Sequence, residues 1–141
     1  MSTAHIVANK SLSDFIADQI SDTEVIGIGE MAQRFNTTLR TLRFYEARGL
    51  LKPRREGSMR LYDVAAQKRF RLIDEGRKLG FTLTEITELL GSSRNITELN
   101  LSIQIIKDQI IHLERQRVSI DEALADLRRR YYLLTDPGSD E

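Results

Sequence analysis

Arginines are the residues of this sequence best placed to do chemistry, and that chemistry is the binding of phosphate. A short basic stretch contains Arg40, Arg43, Arg54, Arg55 and Arg60. Guanidinium groups contact phosphates and displace counterions, and one or two can bind guanine edges in a DNA major groove. We assign to the same surface three side chains that lie among and beside them: Thr38, Thr41 and Tyr45. The stretch predicts a DNA-binding surface, with an ordinary solvated surface as the alternative.

Residue sets that would support catalysis or metal binding are missing from the sequence. The chain has no cysteine, and its two histidines, His5 and His112, lie too far apart to suggest a pair of metal ligands. It holds no Ser/His/Asp or Cys/His set and no glycine-rich loop for phosphates. Gly27 and Gly29 are better explained by the entry of the chain into its first helix. We therefore expect no enzyme activity, no metal site and no cofactor.

The charge of the chain is divided unevenly along its length, although the net charge is zero. Residues 30–80 hold 13 lysines and arginines against 6 aspartates and glutamates, a net charge of +7. Residues 1–29 carry −3 and residues 81–141 carry −4. The concentration of positive charge in the middle segment favours nucleic acid as the partner of that segment.

Two short helices joined by a tight turn are expected to position the basic stretch. Residues 28–35 have the apolar spacing of a helix, and Asn36 tolerates the left-handed conformation that a tight turn needs. Thr38 can cap a second helix that runs to about Arg48. On that helix Leu39 and Leu42 are expected to face inward, whereas the outward side chains are Arg40, Arg43 and Tyr45. This arrangement is typical of a DNA-binding helix-turn-helix.

A β-hairpin and two more helices complete the predicted domain, residues 25–92. Residues 50–62 contain a proline, a glycine and several basic residues, which favours a hairpin wing. Asp63 can cap a helix of about residues 64–79, and Thr82 with Glu85 can form a capping box for a helix that ends at Leu90. The core candidates on the first of these helices are Phe70, Leu72, Ile73 and Leu79.

A regular apolar seam marks the last element. Its positions alternate in steps of four and three: Leu99, Ile103, Ile106, Ile110, Leu113, Arg117, Ile120, Leu124, Leu127, Tyr131 and Leu134. The spacing predicts one coiled-coil helix over residues 96–135, roughly 50 Å long, followed by a tail at 136–141. Because a small domain cannot bury such a seam alone, a second copy of the chain is the simplest partner. Residues 1–24 are interpreted as an N-terminal extension.

Arg117 is the one polar residue of the seam and falls next to its midpoint. If two helices pair antiparallel in full register, Arg117 lies close to its own mate. Glu114 or a bound anion can then compensate the repulsion, or the aliphatic stem can lie along the seam with the charged end in water. In each case a polar seam residue selects a register at some cost in stability.

Several ordered motifs carry a family resemblance. They are Ile28-Gly29-Glu30-Met31-Ala32, Arg40-Thr41-Leu42-Arg43-Phe44-Tyr45-Glu46, Gly49-Leu50-Leu51-Lys52-Pro53-Arg54-Arg55, Arg60-Leu61-Tyr62 and Leu79-Gly80-Phe81-Thr82-Leu83-Thr84-Glu85-Ile86. By these motifs, residues 26–90 resemble the MerR family of bacterial transcription regulators. The resemblance implies a mainly α fold, in which a winged helix-turn-helix DNA-binding domain precedes a long C-terminal dimerisation helix that pairs antiparallel.

The resemblance also implies a function. Arg43 and Tyr45 would contact DNA from the recognition helix, and Arg54, Arg55 and Arg60 would belong to the wing, with Tyr62 next to it. Phe44 stands where many relatives have tyrosine, and the resemblance places Phe44 and Tyr62 on the same DNA-binding surface. We expect neither the cysteines of metal sensors nor a large ligand-binding domain after the coil.

The resemblance implies a homodimer that binds promoters in which the spacer between the two polymerase elements is too long. The dimer would bend and untwist the duplex so that RNA polymerase can engage both elements. The alternatives are a simple repressor and a coiled-coil adaptor that binds protein. We expect a cytoplasmic protein that does not enter the membrane, since no apolar run approaches the ~20 residues that a span needs.

Overall fold

A computed structural model describes residues 24–92 and 96–138 of the chain. The elements are β1 (Ile26–Gly27), α1 (Ile28–Arg34), α2 (Leu39–Ala47), β2 (Arg54–Glu56), β3 (Met59–Tyr62), α3 (Val64–Lys78), α4 (Leu83–Leu90) and α5 (Ile103–Thr135). They form two compact units that divide between Asn100 and Leu101. The predicted extension falls outside the described residues except for Glu24. The mainly helical class, with a winged helix-turn-helix before a long helix, is confirmed.

The turn of the helix-turn-helix is formed, as predicted, by residues close together in the sequence. Asn36 has a φ of 49°, and Thr38 accepts a hydrogen bond from the Thr41 amide at 3.0 Å, which caps α2. Of the two leucines predicted to face inward from α2, Leu42 is fully buried, whereas Leu39 is exposed. That part of the prediction was wrong because Leu39 is the first residue of the helix, where no element among the described residues covers it.

The wing is a hairpin within a three-stranded antiparallel sheet of order β1-β3-β2. Arg55 pairs with Arg60 across the hairpin, and Gly57 makes the turn with a φ of 63°. Strand β1 adds to the other edge of β3, where Ile26 pairs with Tyr62. The sequence did not predict β1, since two residues are too few to show a strand period.

The core of the first unit lies between the sheet and helices α1, α2, α3 and α4. The caps predicted at Asp63 and Thr82 are confirmed, the latter as a complete capping box with Glu85. Leu79, predicted to be in the core, is 40% exposed because it follows the last turn of α3. The residues that are buried include Met31, Leu42, Leu50, Leu51, Phe70, Leu72, Ile73, Phe81, Ile86, Leu89, Leu90 and Leu99.

The second unit is dominated by α5, which begins later than predicted. Ser102 caps the helix by accepting a hydrogen bond from the Ile105 amide at 3.1 Å. Leu99 precedes that cap, is 7% exposed and belongs to the first unit, where the next amide, that of Asn100, donates to the Leu89 carbonyl at 3.2 Å. The assignment of Leu99 to the dimerisation seam was therefore wrong. Within the described residues, no α-helix combines the length and hydropathy needed to cross a lipid bilayer.

Candidate nucleic-acid interface

Helix α2 carries the basic side chains predicted to contact DNA, and we call it the recognition helix. Arg40 and Arg43 are exposed, and neither makes an ion pair with any described residue. Thr38 is also exposed, but its hydroxyl is engaged in capping and donates to the Thr41 hydroxyl at 2.9 Å. The arginines are therefore the side chains of this helix that are most available to a ligand.

Aromatic contacts fix the two predicted aromatic residues of the recognition helix in different ways. Tyr45 is half-buried, with its ring 6.0 Å from that of Phe70. It therefore does not face fully outward, which corrects the sequence-based expectation. Phe44 is 48% exposed, and the guanidinium of Arg48 lies 5.7 Å from the centre of its ring. Tyr45 anchors the helix to the core, whereas Phe44 remains on the surface.

The wing presents its predicted arginines unequally. Arg54 is exposed and makes no ion pair with the described residues. Arg55 and Arg60 both donate to Glu46 near the end of the recognition helix, each at 2.6 Å and each to a different carboxylate oxygen. Glu46 had no role predicted from the sequence, because its partners are 9 and 14 residues away. The wing and the recognition helix are thus joined by one carboxylate.

The charge state of Glu46 reflects this position between two cations. Burial raises the pKa of the carboxyl, but hydrogen bonds from Arg55 and Arg60 outweigh burial and hold the pKa below its ordinary value. Glu46 is 19% exposed and Arg60 is 23% exposed, so solvent screens this pair less than a surface ion pair. The carboxylate is ionised at neutral pH and compensates part of the wing's positive charge.

Tyr62 was predicted to contact DNA, and the structure contradicts that prediction. Its side chain is fully buried on β3, the strand against which helices α1 and α3 pack. Burial, followed by the charge of Glu46, raises the pKa of the phenol. The hydroxyl has no hydrogen-bond partner among the described residues. Tyr62 is therefore a core residue beneath the wing.

A buried amide ties the N-terminal edge of the domain to the sheet. The side chain of Gln67 on α3 is fully buried and donates to the carbonyls of Glu24 and Tyr62, each at 3.1 Å. Arg34 pairs with Glu24 at 2.6 Å, and this hydrogen bond raises the pKa of its guanidinium despite partial burial. Arg34 belongs to the positive segment of the sequence, but its charge is compensated inside the fold.

The first unit also contains a cleft of about 440 Å³, lined in part by Lys52, Asp63 and Arg69. Arg69 donates to the Leu50 carbonyl at 2.6 Å, and burial lowers the pKa of its guanidinium. In the part of the chain that the structure describes, no group of three or more His, Asp and Glu residues could hold a metal ion. The geometry favours the surface of α2 and the wing, where unpaired arginines lie on two joined elements, for the binding of a polyanion.

Family models match most of the described chain. The model of the MerR HTH family regulatory protein matches residues 27–93, and the model described as MerR, DNA binding matches residues 67–130. The first match contains the helix-turn-helix and the wing, and the second extends from α3 into the long helix.

Similar curated proteins include regulators of bacterial operons. The mercuric resistance operon regulatory protein of Bacillus cereus is 34% identical over 113 residues, which cover 73% of this chain and 83% of that protein. Nodulation protein NolA of Bradyrhizobium diazoefficiens is 32% identical over 102 residues, or 67% of this chain and 43% of NolA. The HTH-type transcriptional regulator ZntR of Escherichia coli is 40% identical over 66 residues, or 45% and 47% of the two chains. The chain spans less than half the length of the NolA proteins that it matches.

A solved structure shares the fold. A MerR-family transcriptional regulator from Bacillus cereus superimposes with a TM-score of 0.65 at 24% sequence identity. The superposition covers 81% of this chain and 86% of the other.

Proposed function

Because the chain belongs to the MerR family of regulatory proteins, we propose that it is a transcription regulator that binds double-stranded DNA. In this proposal the recognition helix lies in the major groove and the wing contacts the adjacent backbone. The observation that carries the proposal is that Arg40, Arg43 and Arg54 are exposed and unpaired among the described residues, on two elements joined through Glu46. The relatives from Bacillus cereus and Escherichia coli are named as regulators, in agreement with the expectation that the chain is not an enzyme.

We further propose that the regulator acts as a homodimer held by α5. The apolar side chains of its seam are exposed in a single chain, from 39% at Leu113 to 85% at Leu134. A helix of 33 residues with a heptad pattern is stabilised by pairing with a second helix. The seam without Leu99 runs from Ile103 to Leu134, and an antiparallel pair brings the two DNA-binding units to opposite ends.

The dimer is proposed to act on cytoplasmic promoter DNA by bending and untwisting an overlong spacer, so that RNA polymerase can engage both promoter elements. The energetic cost of deforming the duplex is offset by contacts that form only on the deformed site. Family membership supports this mechanism. Repression without distortion is the alternative, and bending measured on the natural operator separates the two.

Substitution of Arg43 tests the DNA surface. We expect Arg43→Ala to weaken binding by about 1–3 kcal/mol, because an exposed guanidinium that contacts base or phosphate is lost. The measurement is fluorescence anisotropy with a duplex that the wild-type protein selects from a randomised library, at several salt concentrations. Arg77→Ala is the control, since Arg77 is an exposed arginine of α3 that makes no ion pair with the described residues. Unchanged affinity of Arg43→Ala at every salt concentration contradicts the assignment.

Substitution of Arg117 tests the seam. With Ile103 opposite Leu134 of the second copy, Arg117 faces Ile120 of that copy rather than its own mate. We expect Arg117→Leu to raise the melting temperature of the dimer, because a charged side chain in an apolar seam lowers its stability. Light scattering should then reveal assemblies other than one dimer. A lower melting temperature would instead indicate a stabilising partner for Arg117, such as Glu114 or a bound anion.

A further inference from the structure

We propose that Glu46 sets the ratio of specific to non-specific DNA affinity by fixing the wing to the recognition helix. The inference rests on the proposed function and adds a role for an acidic residue within a basic surface. A wing that is held at one angle to α2 can contact the DNA backbone only where the DNA groove has a width that matches this angle. Glu46 acts through Arg55 and Arg60 and is therefore a positioning residue.

Glu46, Arg55 and Arg60 form a cluster in which each member is unfavourably placed without the others. Arg55 and Arg60 are directly paired across the hairpin, where like charges repel. Glu46 lies in the last turn of α2, where the helix dipole disfavours a negative charge. The two hydrogen bonds of 2.6 Å resolve both conflicts at once. The hairpin and the helix thus each carry a charge that is locally unfavourable, and only contacts between the two elements compensate for it. Such an arrangement points to a functional constraint on how the two elements are positioned.

The cluster also changes which arginines are available to DNA. A guanidinium whose charge is compensated by an internal carboxylate attracts the phosphates of an arbitrary duplex less strongly. Glu46 therefore withholds two non-specific contacts, while Arg54 at the start of the same hairpin remains unpaired among the described residues. Binding to the specific DNA site still gains from a wing that is already in position. Binding to DNA of random sequence loses part of the electrostatic attraction between arginine and phosphate.

The experiment compares Glu46→Gln with the wild type on two probes, the duplex selected by the wild type and the unselected random pool. We expect affinity for the selected duplex to fall about tenfold, or about 1.4 kcal/mol. Affinity for the pool should rise. Its salt dependence should steepen by up to about 2 units of slope, since each released arginine that contacts a phosphate adds about 0.9.

The matched control is Glu56→Gln, which removes the same charge from the wing itself. Glu56 is exposed on β2 and makes no ion pair with the residues that the structure describes. Loss of this charge should raise affinity for both probes by a similar factor and leave their ratio unchanged. If Glu46→Gln behaves in the same way, or changes neither affinity, the proposal is overturned.

A third variant separates the charge of the released arginines from the loss of the Glu46 contacts. In Glu46→Gln/Arg55→Gln/Arg60→Gln the whole cluster is neutral, so no released arginine can bind phosphate. We expect its salt slope on the random pool to be no steeper than that of the wild type, with affinity for the selected duplex still reduced. A slope as steep as that of Glu46→Gln contradicts the proposal. If the wild type enriches no duplex at all, the proposed function fails instead, and that outcome is recognised before any variant is made.

Discussion

Replacing Leu124 with aspartate is expected to leave the protein monomeric at concentrations where the wild type is dimeric. Leu124 is 40% exposed in the single chain and lies in the seam of α5. In the proposed antiparallel pair it faces Leu113 of the second copy, and the substitution occurs twice in each dimer. A carboxylate without a partner in an apolar interface costs several kcal/mol. We expect the dissociation constant to rise at least about 1000-fold, or about 4 kcal/mol.

Sedimentation equilibrium over a range of concentrations measures this change. Ser119→Asp is the matched control, because it adds the same charge to an exposed position of α5 outside the seam. We expect Ser119→Asp to remain dimeric. An unchanged dissociation constant for Leu124→Asp shows that the seam is not the interface, and dissociation of both variants shows that the effect is not confined to the seam.

Replacing Gly76 with valine is expected to destabilise the first unit by about 3 kcal/mol, the upper part of the range for overpacked cores. A Cβ atom at Gly76 would lie 2.7 Å from Cγ1 and 3.0 Å from Cδ1 of Ile86. Ile86 is fully buried on α4, so its side chain cannot move away without disturbing other core residues. Glycine is required at this position of α3 by the close approach of α4. The loss is a large fraction of the stability of a small domain.

Chemical denaturation followed by circular dichroism measures the free energy of unfolding. Gly29→Val is the control, because a Cβ at Gly29 on α1 meets nothing within 4 Å. We expect the control to change stability by less than about 0.5 kcal/mol. Equal effects of the two substitutions would contradict the role assigned to the contact between Gly76 and Ile86.

Those features of the protein that depend on residues close together in the chain could be predicted from the sequence. The turn at Asn36 and the caps at Thr38, Asp63 and Thr82 are as predicted, since each involves partners within about four residues. The heptad spacing likewise predicted a long C-terminal helix. The exposed arginines of α2 followed from helical periodicity alone.

The way in which these elements meet depends on contacts between residues far apart in the chain. Glu46 joins the wing over 9 and 14 residues, and Gln67 reaches Glu24 over 43. Tyr62 and Leu99 were assigned to surfaces by motif and by spacing, yet both are buried in the first unit. Burial and ion pairing depend on which element covers a residue. That covering is produced by packing between distant segments, which local propensity and periodicity do not encode.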